Sequence, residues 1–442
     1  MTTTTENTAR PSAPSRRTAL AGAASVGVLV TTAACGGGSS DGPAADTGYE
    51  TPSADLKAKI TYGLWDQTQV AGLQKNIDAF TAKYPGVEVA LNVTPFSEYW
   101  TKLQTQASSD TLPDLFWMNG PNFQLYASNG KIAPLTGAIQ AGAVDPGNYP
   151  SALVDLYSYD GVTYGVPKDF DTIGVWVNTD LFSRAGVPLP TAEWTWDEFQ
   201  DTAVRISQAL SAQGIYGAAG GMDGQTTYYN TIFEAGGEVI ADGKSGYAST
   251  DSVAGLQFWT DLIAAGGSPS IQQLTDTTAD QWFTSGKLAM YWGGSWFRAA
   301  LTDTDLAGKV QVLPLPKGTA QVTVIHGVSN VVAAGTKNKQ AAQALQVFLA
   351  GKEAQQQLGS AGTVIPAFNG TQGTFASSMP GTDLQLFLDA VDYSKPLPVS
   401  KNTAAWNALE TDLLPDAFSG AKPVGEVASD LAQKMDKALA GE

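Results

Sequence analysis

Residues 60–93 read ITYGLWDQTQVAGLQKNIDAFTAKYPGVEVALNV, and the period of the apolar positions changes twice along them. Residues 60–64 are a short apolar run of strand length that ends in Trp65-Asp66-Gln67. Val70, Leu73, Ile77, Phe80 and Tyr84 then fall on one face of a helix, which Pro85-Gly86 stops. Residues 87–93 alternate apolar and polar, as a strand does. Strand, helix and strand in that order predict an α/β fold whose strands run parallel, with ligand groups at their carboxyl ends.

The same alternation continues outward. A helix is expected over residues 99–107, a strand over 114–118 and a long extended run within 160–178. Thr195-Trp196-Asp197-Glu198 has the form of a capping box opening a helix. Residues 214–246 are glycine-rich around Tyr228, Tyr229 and Asn230. Residues 282–298 read as helix, stop at Gly286, strand, glycine turn and helix, so Trp296 is expected to begin a helix. Leu313-Pro314-Leu315-Pro316 is a second extended segment, residues 322–334 a strand and 340–349 a helix. The chain closes in helices, with Val427, Leu431 and Met435 on one stripe.

Ahead of this lies an export signal. Arg16 and Arg17 precede an apolar run, residues 19–30, too short to anchor in a bilayer of about 30 Å, followed by Ala33-Ala34 and the only cysteine, Cys35. The arginine pair resembles a twin-arginine signal, and Thr32-Ala33-Ala34-Cys35 resembles a lipobox, with Thr32 where Leu is usual. Residues 1–35 are therefore expected to be an export signal, Cys35 to be lipidated, and residues 36–54 to be a flexible tether holding the body at the outer face of the membrane.

Without residues 1–35 the chain loses three Arg and one Glu, and its net charge moves from −17 to −19. Such acidity excludes nucleic acid as a partner. No cysteine beyond Cys35 exists to form a disulfide, so the core alone holds the fold. The remaining length calls for two lobes. Aromatic residues make up 10% of the chain and 11 of them are Trp, a composition suited to carbohydrate.

The ordered series YGLWD, FTAKYPGVEV, PDLFWMNG, DGVTYGVP, VNTDLFSRAGV with TWDEF, FTSGKLAMYWGGSW, LPLPKG and GTVIP resembles the sugar-binding type of bacterial extracellular solute-binding protein, the receptor subunit of ABC importers. The resemblance runs from about residue 56 to the C-terminus. It implies a two-lobed periplasmic-binding-protein fold with hinge-connected mixed sheets and ligand between the lobes. Lobe one would comprise residues 55–170 and 318–368, and lobe two 171–317 and 369–442. The hinge would use residues 168–172, residues 313–317 and a crossing near Phe368. The implied function is capture of a sugar or oligosaccharide, delivery to ABC importer permease subunits and no catalysis. No cofactor or metal is expected, and the protein is expected to be a monomer.

A sugar presents C–H faces and a rim of hydroxyls, which flat aromatics and carboxylates or amides match. In Trp292-Gly293-Gly294-Ser295-Trp296 two glycines permit close backbone approach, and the resemblance places Trp296 on a stacking aromatic. Trp292 is a candidate beside it, or a core residue of the strand. Trp65 and Asp66 end the first strand where relatives put a ligand contact, although Asp66 would equally cap the following helix. Asn119 follows the PDLF strand and is expected to point outward. The resemblance gives Asp171 the role of an acidic hydrogen-bonder in the first crossing, and Tyr229 and Trp406 the roles of further stacking rings; Trp406 also suits a helix core. His326, the only histidine, either lines the cleft or is a hydrogen-bonded core group.

Other readings fail on spacing. Asp169-x-Asp171 with Gly174 approaches a calcium loop, but Ile173 and Asp180 occupy ligand positions. Gly243-Lys244-Ser245 lacks the earlier glycine of a phosphate loop, having Glu238 there. A single histidine allows no His-rich metal cluster. A glycosidase would need a placed carboxylate pair, and no hydrolase motif carries one. A same-fold receptor for a non-sugar solute stays open, as does, more remotely, a secreted carbohydrate enzyme.

Overall fold

The computed structural model describes residues 48–442 apart from 302, 303 and 307. The expectations for Cys35, for the export signal and for most of the tether fall outside the described residues.

The opening stretch folds as its periodicity predicts. Strand β1 (Lys57–Leu64), helix α1 (Val70–Lys83) and strand β2 (Gly86–Val93) form a unit in which β1 and β2 pair in parallel. Leu73, Ile77 and Phe80 bury the inner face of α1, and Tyr84, its C-cap residue, is also buried. Helix α2 (Phe96–Ser108), strand β3 (Leu115–Asn119) and helix α3 (Gly120–Ser128) follow. Every residue of β3 is buried, Leu115 and Trp117 on one face and Phe116 and Met118 on the other. That is the mark of a strand covered on both sides by helices.

Strand β4 (Pro167–Asp171) is separated from strand β5 (Ile173–Asn178) by Thr172 alone, yet the two belong to different sheets. Helices α4 (Trp196–Leu210), α5 (Tyr229–Ala235) and α6 (Thr250–Ala264) then build the second lobe, and the predicted capping box opens α4. Strands β6 (Met290–Gly294) and β7 (Val310–Leu313) flank β5, both antiparallel to it. The chain returns through β8 (Thr323–Val332), α7 (Lys339–Ala350) and β9 (Ile365–Pro366), and β10 (Ser394–Pro396) pairs with the start of β8. Helices α8 (Thr403–Phe418) and α9 (Val424–Leu439) pack on each other and contribute Trp406, Leu414, Leu431 and Met435 to the second lobe's core.

The first sheet runs β9-β4-β8-β3-β1-β2. It is mixed rather than wholly parallel, because β8 lies antiparallel to β3 and to β4, and β4 antiparallel to β9. The reason is topological: β8 enters from the second lobe, at the end where β1 and β3 finish, and can only run backwards. This is the two-lobed α/β architecture with hinge-connected sheets, and it brings the carboxyl ends of β1, β3 and β4 and the start of β8 to one edge.

Candidate functional site

The edge where the first sheet meets the second lobe gathers most of the candidate residues. Strand register fixes their relative heights: Asn119 pairs with Val328, and His326 with Asp171. Asn119 is the N-cap of α3, its Oδ1 accepting from the Asn122 amide at 3.2 Å and from Asn122 Nδ2 at 2.9 Å. At the next residue the Gly120 N–H donates to His326 Nε2 at 3.0 Å. That bond leaves the ring proton of His326 on Nδ1, which lies 3.8 Å from Asp171 Oδ2. The other oxygen of Asp171 accepts from Gln225 Nε2 at 2.7 Å. Burial pushes the Asp171 carboxyl above its ordinary range, and the His326 and Gln225 donors oppose that rise. His326 is 5% exposed, so it is a hydrogen-bonded group beneath the edge.

Asp169 and Asp171 look alike in sequence and do different work. Asp169 forms a buried ion pair with Lys168 and accepts from the Val328 amide at 3.1 Å. Lys168 also donates to Gln69 Oε1 at 2.9 Å and sits 4.0 Å from the centre of the Trp117 ring. Every bond of Asp169 is thus spent on the interior of the first lobe, and Asp171 is the carboxylate that reaches the second lobe.

Trp296 arrives from the other side. Ser295, following β6, donates its amide to Thr172 O at 3.2 Å, one residue from Asp171. The partly exposed Trp296 ring folds back over Gly294, where a Cβ would lie 1.9 Å from Trp296 Cζ3. The stretch Ser295–Leu301 is a 3₁₀ helix rather than the α-helix expected, and its first amide is spent on Thr172.

Trp65 and Asp66 stand at the end of β1, both partly exposed. Asp66 caps the turn that follows, Oδ1 accepting from the Thr68 amide at 2.8 Å and Oδ2 from Gln69 Nε2 at 2.9 Å. Three predicted rings are not brought to this edge. Trp292, 2% exposed, is enclosed by Phe199, Phe258 and Trp259, with the Trp259 ring 4.8 Å away. Trp406 is 0% exposed, its Nε1 donating to Ser400 Oγ at 2.9 Å. Tyr229 lies under Gly224, a Cβ at which would come within 2.4 Å of the ring, and its hydroxyl donates to Glu410 Oε2 at 2.9 Å. The ring faces of all three are covered by the second lobe's own core.

Sequence reasoning missed Gln225 and Glu410. Gln225 sits in the turn Gly224–Tyr228, inside the glycine-rich stretch. Glu410 accepts from Tyr228, Tyr229 and Tyr247, and burial pushes its carboxyl up to about 7. Nothing local marks either residue, since each is defined by partners far away in the chain. Among the described residues, no group of three His, Cys, Asp or Glu is placed to hold a metal.

Residues 65–356 match the bacterial extracellular solute-binding protein family. The chain belongs to that family. It is a binding protein of ABC import, extracytoplasmic in location, and not an enzyme. Among its relatives it is 25% identical over 370 residues to the diacetylchitobiose binding protein of Streptomyces coelicolor, covering 79% of this chain and 82% of that one. It is 26% identical over 277 residues to the lactose-binding protein of Rhizobium radiobacter, covering 60% and 63%. The fold of this solute-binding protein is also that of the ABC substrate-binding protein from Listeria monocytogenes solved with cycloalternan, with a TM-score of 0.81, 22% identity and coverage of 87% of this chain and 100% of that one.

Proposed function

We propose that this solute-binding protein captures a sugar or oligosaccharide and passes it unaltered to an ABC importer. The observation that carries the reading is the juxtaposition of one carboxylate and one indole where the two sheets meet. Asp171 offers a charged acceptor for hydroxyls, and Trp296, beside the Thr172 crossing, offers a flat apolar face. Relatives named for lactose and diacetylchitobiose favour the same ligand class.

In this reading Trp65, Asp66 and Asn119 contribute from the first lobe and Gln225 from the second, with His326 orienting Asp171. Tyr229, Trp292 and Trp406 form the packed layer on which the second-lobe surface rests. The lobes, 55–170 with 318–368 and 171–317 with 369–442, close about Thr172 and the segment between Leu313 and Thr323, burying the ligand between them. We further propose that the protein acts as a monomer anchored through a lipid on Cys35; Cys35→Ala would then release it from the cell surface into the medium.

A thermal-shift screen against mono- and oligosaccharides tests the function. A true ligand at a hundred times its dissociation constant adds about 2.7 kcal/mol of stability. A sugar panel that leaves the transition unmoved, while an amino acid or polyamine raises it, would overturn the reading in favour of a non-sugar solute.

A further inference from the structure

Asn230, the second residue of α5, is 0% exposed, and no ligand contact of the site above uses it. A buried carboxamide has two donors and an acceptor to satisfy, and here all three are used. Its Nδ2 donates to Gln225 O at 2.8 Å and to Thr227 O at 3.3 Å, and its Oδ1 accepts from the Val324 amide at 2.8 Å. These partners fix the orientation of the group, since turned over it would set Oδ1 against two carbonyls and Nδ2 against an N–H. Asn230 therefore ties the backbone of the turn Gly224–Tyr228 to the second residue of β8.

Both partners lead to the same carboxylate. Gln225, whose main-chain oxygen Asn230 holds, donates from its side chain to Asp171 Oδ1 at 2.7 Å. Val324 lies two residues before His326 on β8, and His326 Nδ1 is 3.8 Å from Asp171 Oδ2. Asp171, Gln225, Asn230, Val324 and His326 thus close a ring of polar contacts completed by a short length of β8. Thr323, fully buried, braces it: its Oγ1 accepts from the Ile173 amide at 2.9 Å, holding the start of β8 against the start of β5. The ring therefore sits where the Thr172 crossing and the return into β8 lie side by side. Gln225 is partly exposed and Asn230 is not, so the ring meets solvent at the turn and is closed at the strand.

We infer that Asn230 is a positioning residue that couples the turn carrying Gln225 to the hinge, so that a hydroxyl engaging Asp171 also acts on the Val324 bond at the crossing. This role rests on the sugar-receptor reading. Asn230 itself touches no ligand, and its effect passes through Gln225 on one side and β8 on the other. The physical basis is preorganisation. A free glutamine side chain must be ordered each time ligand binds, whereas a turn tied to the strand that bears His326 keeps both donors in register with Asp171 beforehand. Buried polar networks whose every member is satisfied are rigid in this way.

The test uses the full chain, first without ligand. Gln225→Leu, a change on the partly exposed turn, should speed hydrogen exchange at the Val324 amide about tenfold and move the nitrogen NMR signal of Nδ1 in His326, the only histidine. Unchanged exchange at Val324 overturns the ring, and this measurement decides even if Asn230→Leu does not fold. Folded Asn230→Leu should move the same His326 signal in the same direction, and an unmoved signal overturns the role. Calorimetry with malto-, β-galacto- and chito-oligosaccharides of one to four rings then reads the effect on capture. Asn230→Leu and Gln225→Leu should each weaken binding about tenfold, and the double variant should bind no worse than either, because both break one ring. Additive losses overturn the positioning role and leave the sugar receptor standing. Absence of binding by the unaltered protein across all three series overturns the sugar reading, and the role in capture falls with it.

Discussion

Gln225 Nε2 donates to Asp171 Oδ1 across 2.7 Å, and this bond joins the turn Gly224–Tyr228 to the last residue of β4. It holds the site's carboxylate with one oxygen occupied and the other turned to the His326 ring. Any hydroxyl that binds here adds to this arrangement or displaces the Gln225 amide. Asp171→Asn keeps the size and removes the charged acceptor. It should weaken ligand by about 2 kcal/mol, the difference between charge-assisted and neutral hydrogen bonds, read by calorimetry on protein with an unchanged circular dichroism spectrum.

The two indoles Trp296 and Trp406 should separate binding from stability. Trp296 is partly exposed beside the crossing, and Trp296→Ala should cost about 2 kcal/mol or more of affinity with little loss of stability. Trp406 is 0% exposed, and Trp406→Ala should cost about 3–5 kcal/mol of unfolding free energy through the cavity it leaves. Denaturant titration and calorimetry on both variants decide the assignment, which reverses if Trp406→Ala alone loses ligand.

Gly294 is where the Trp296 ring lies against backbone. A Cβ there would stand 1.9 Å from Trp296 Cζ3, so Gly294→Ala must turn the indole aside. The expected result is affinity as low as that of Trp296→Ala, with ligand-induced quenching of Trp fluorescence altered in the same variant. Retained affinity would show that the ring is not used.

Glu410 makes stability depend on pH in a stated direction. Its carboxyl is pushed from 4.5 to about 7, first by burial, against the donors Tyr247, Tyr229 and Tyr228. Between those values the folded state holds a proton that the unfolded chain has released. Stability therefore falls as pH rises from about 4.5 to about 7, by no more than about 3 kcal/mol from this group. Glu234, fully buried and likewise raised well above its usual range by burial, acts in the same sense. Asp114 is lowered, its hydrogen-bond donors together outweighing burial as the largest single contribution, and it opposes the trend only at more acidic pH. Thermal unfolding from pH 5 to 8 should show the decline, and Glu410→Gln should flatten it.

Much of the fold was legible because it is written in local periodicity. The 3–4 spacing from Leu73 to Tyr84 and the capping box at Thr195 need no knowledge of distant residues, and both folded as read. Strand ends were legible for the same reason, whereas the ligand roles expected of Trp65, Asp66 and Asp171 came from the family resemblance and not from periodicity. The direction of β8 was not legible, because it depends on where the chain re-enters from the second lobe.

The amino-acid sequence by itself determined the alternation of elements and the strand-end positions, since each follows from which side chains share a face of one element. Tertiary structure alone decided that Trp292, Trp406 and Tyr229 are enclosed while Trp296 is not, that Asp169 serves the interior and Asp171 the edge, and that Gln225 and Glu410 matter. Whether an aromatic face or a carboxylate meets solvent, core or ligand is set by neighbours on other elements, such as Trp259 beside Trp292, Gln225 beside Asp171 and Glu410 beside Tyr229, and no local pattern encodes their arrival.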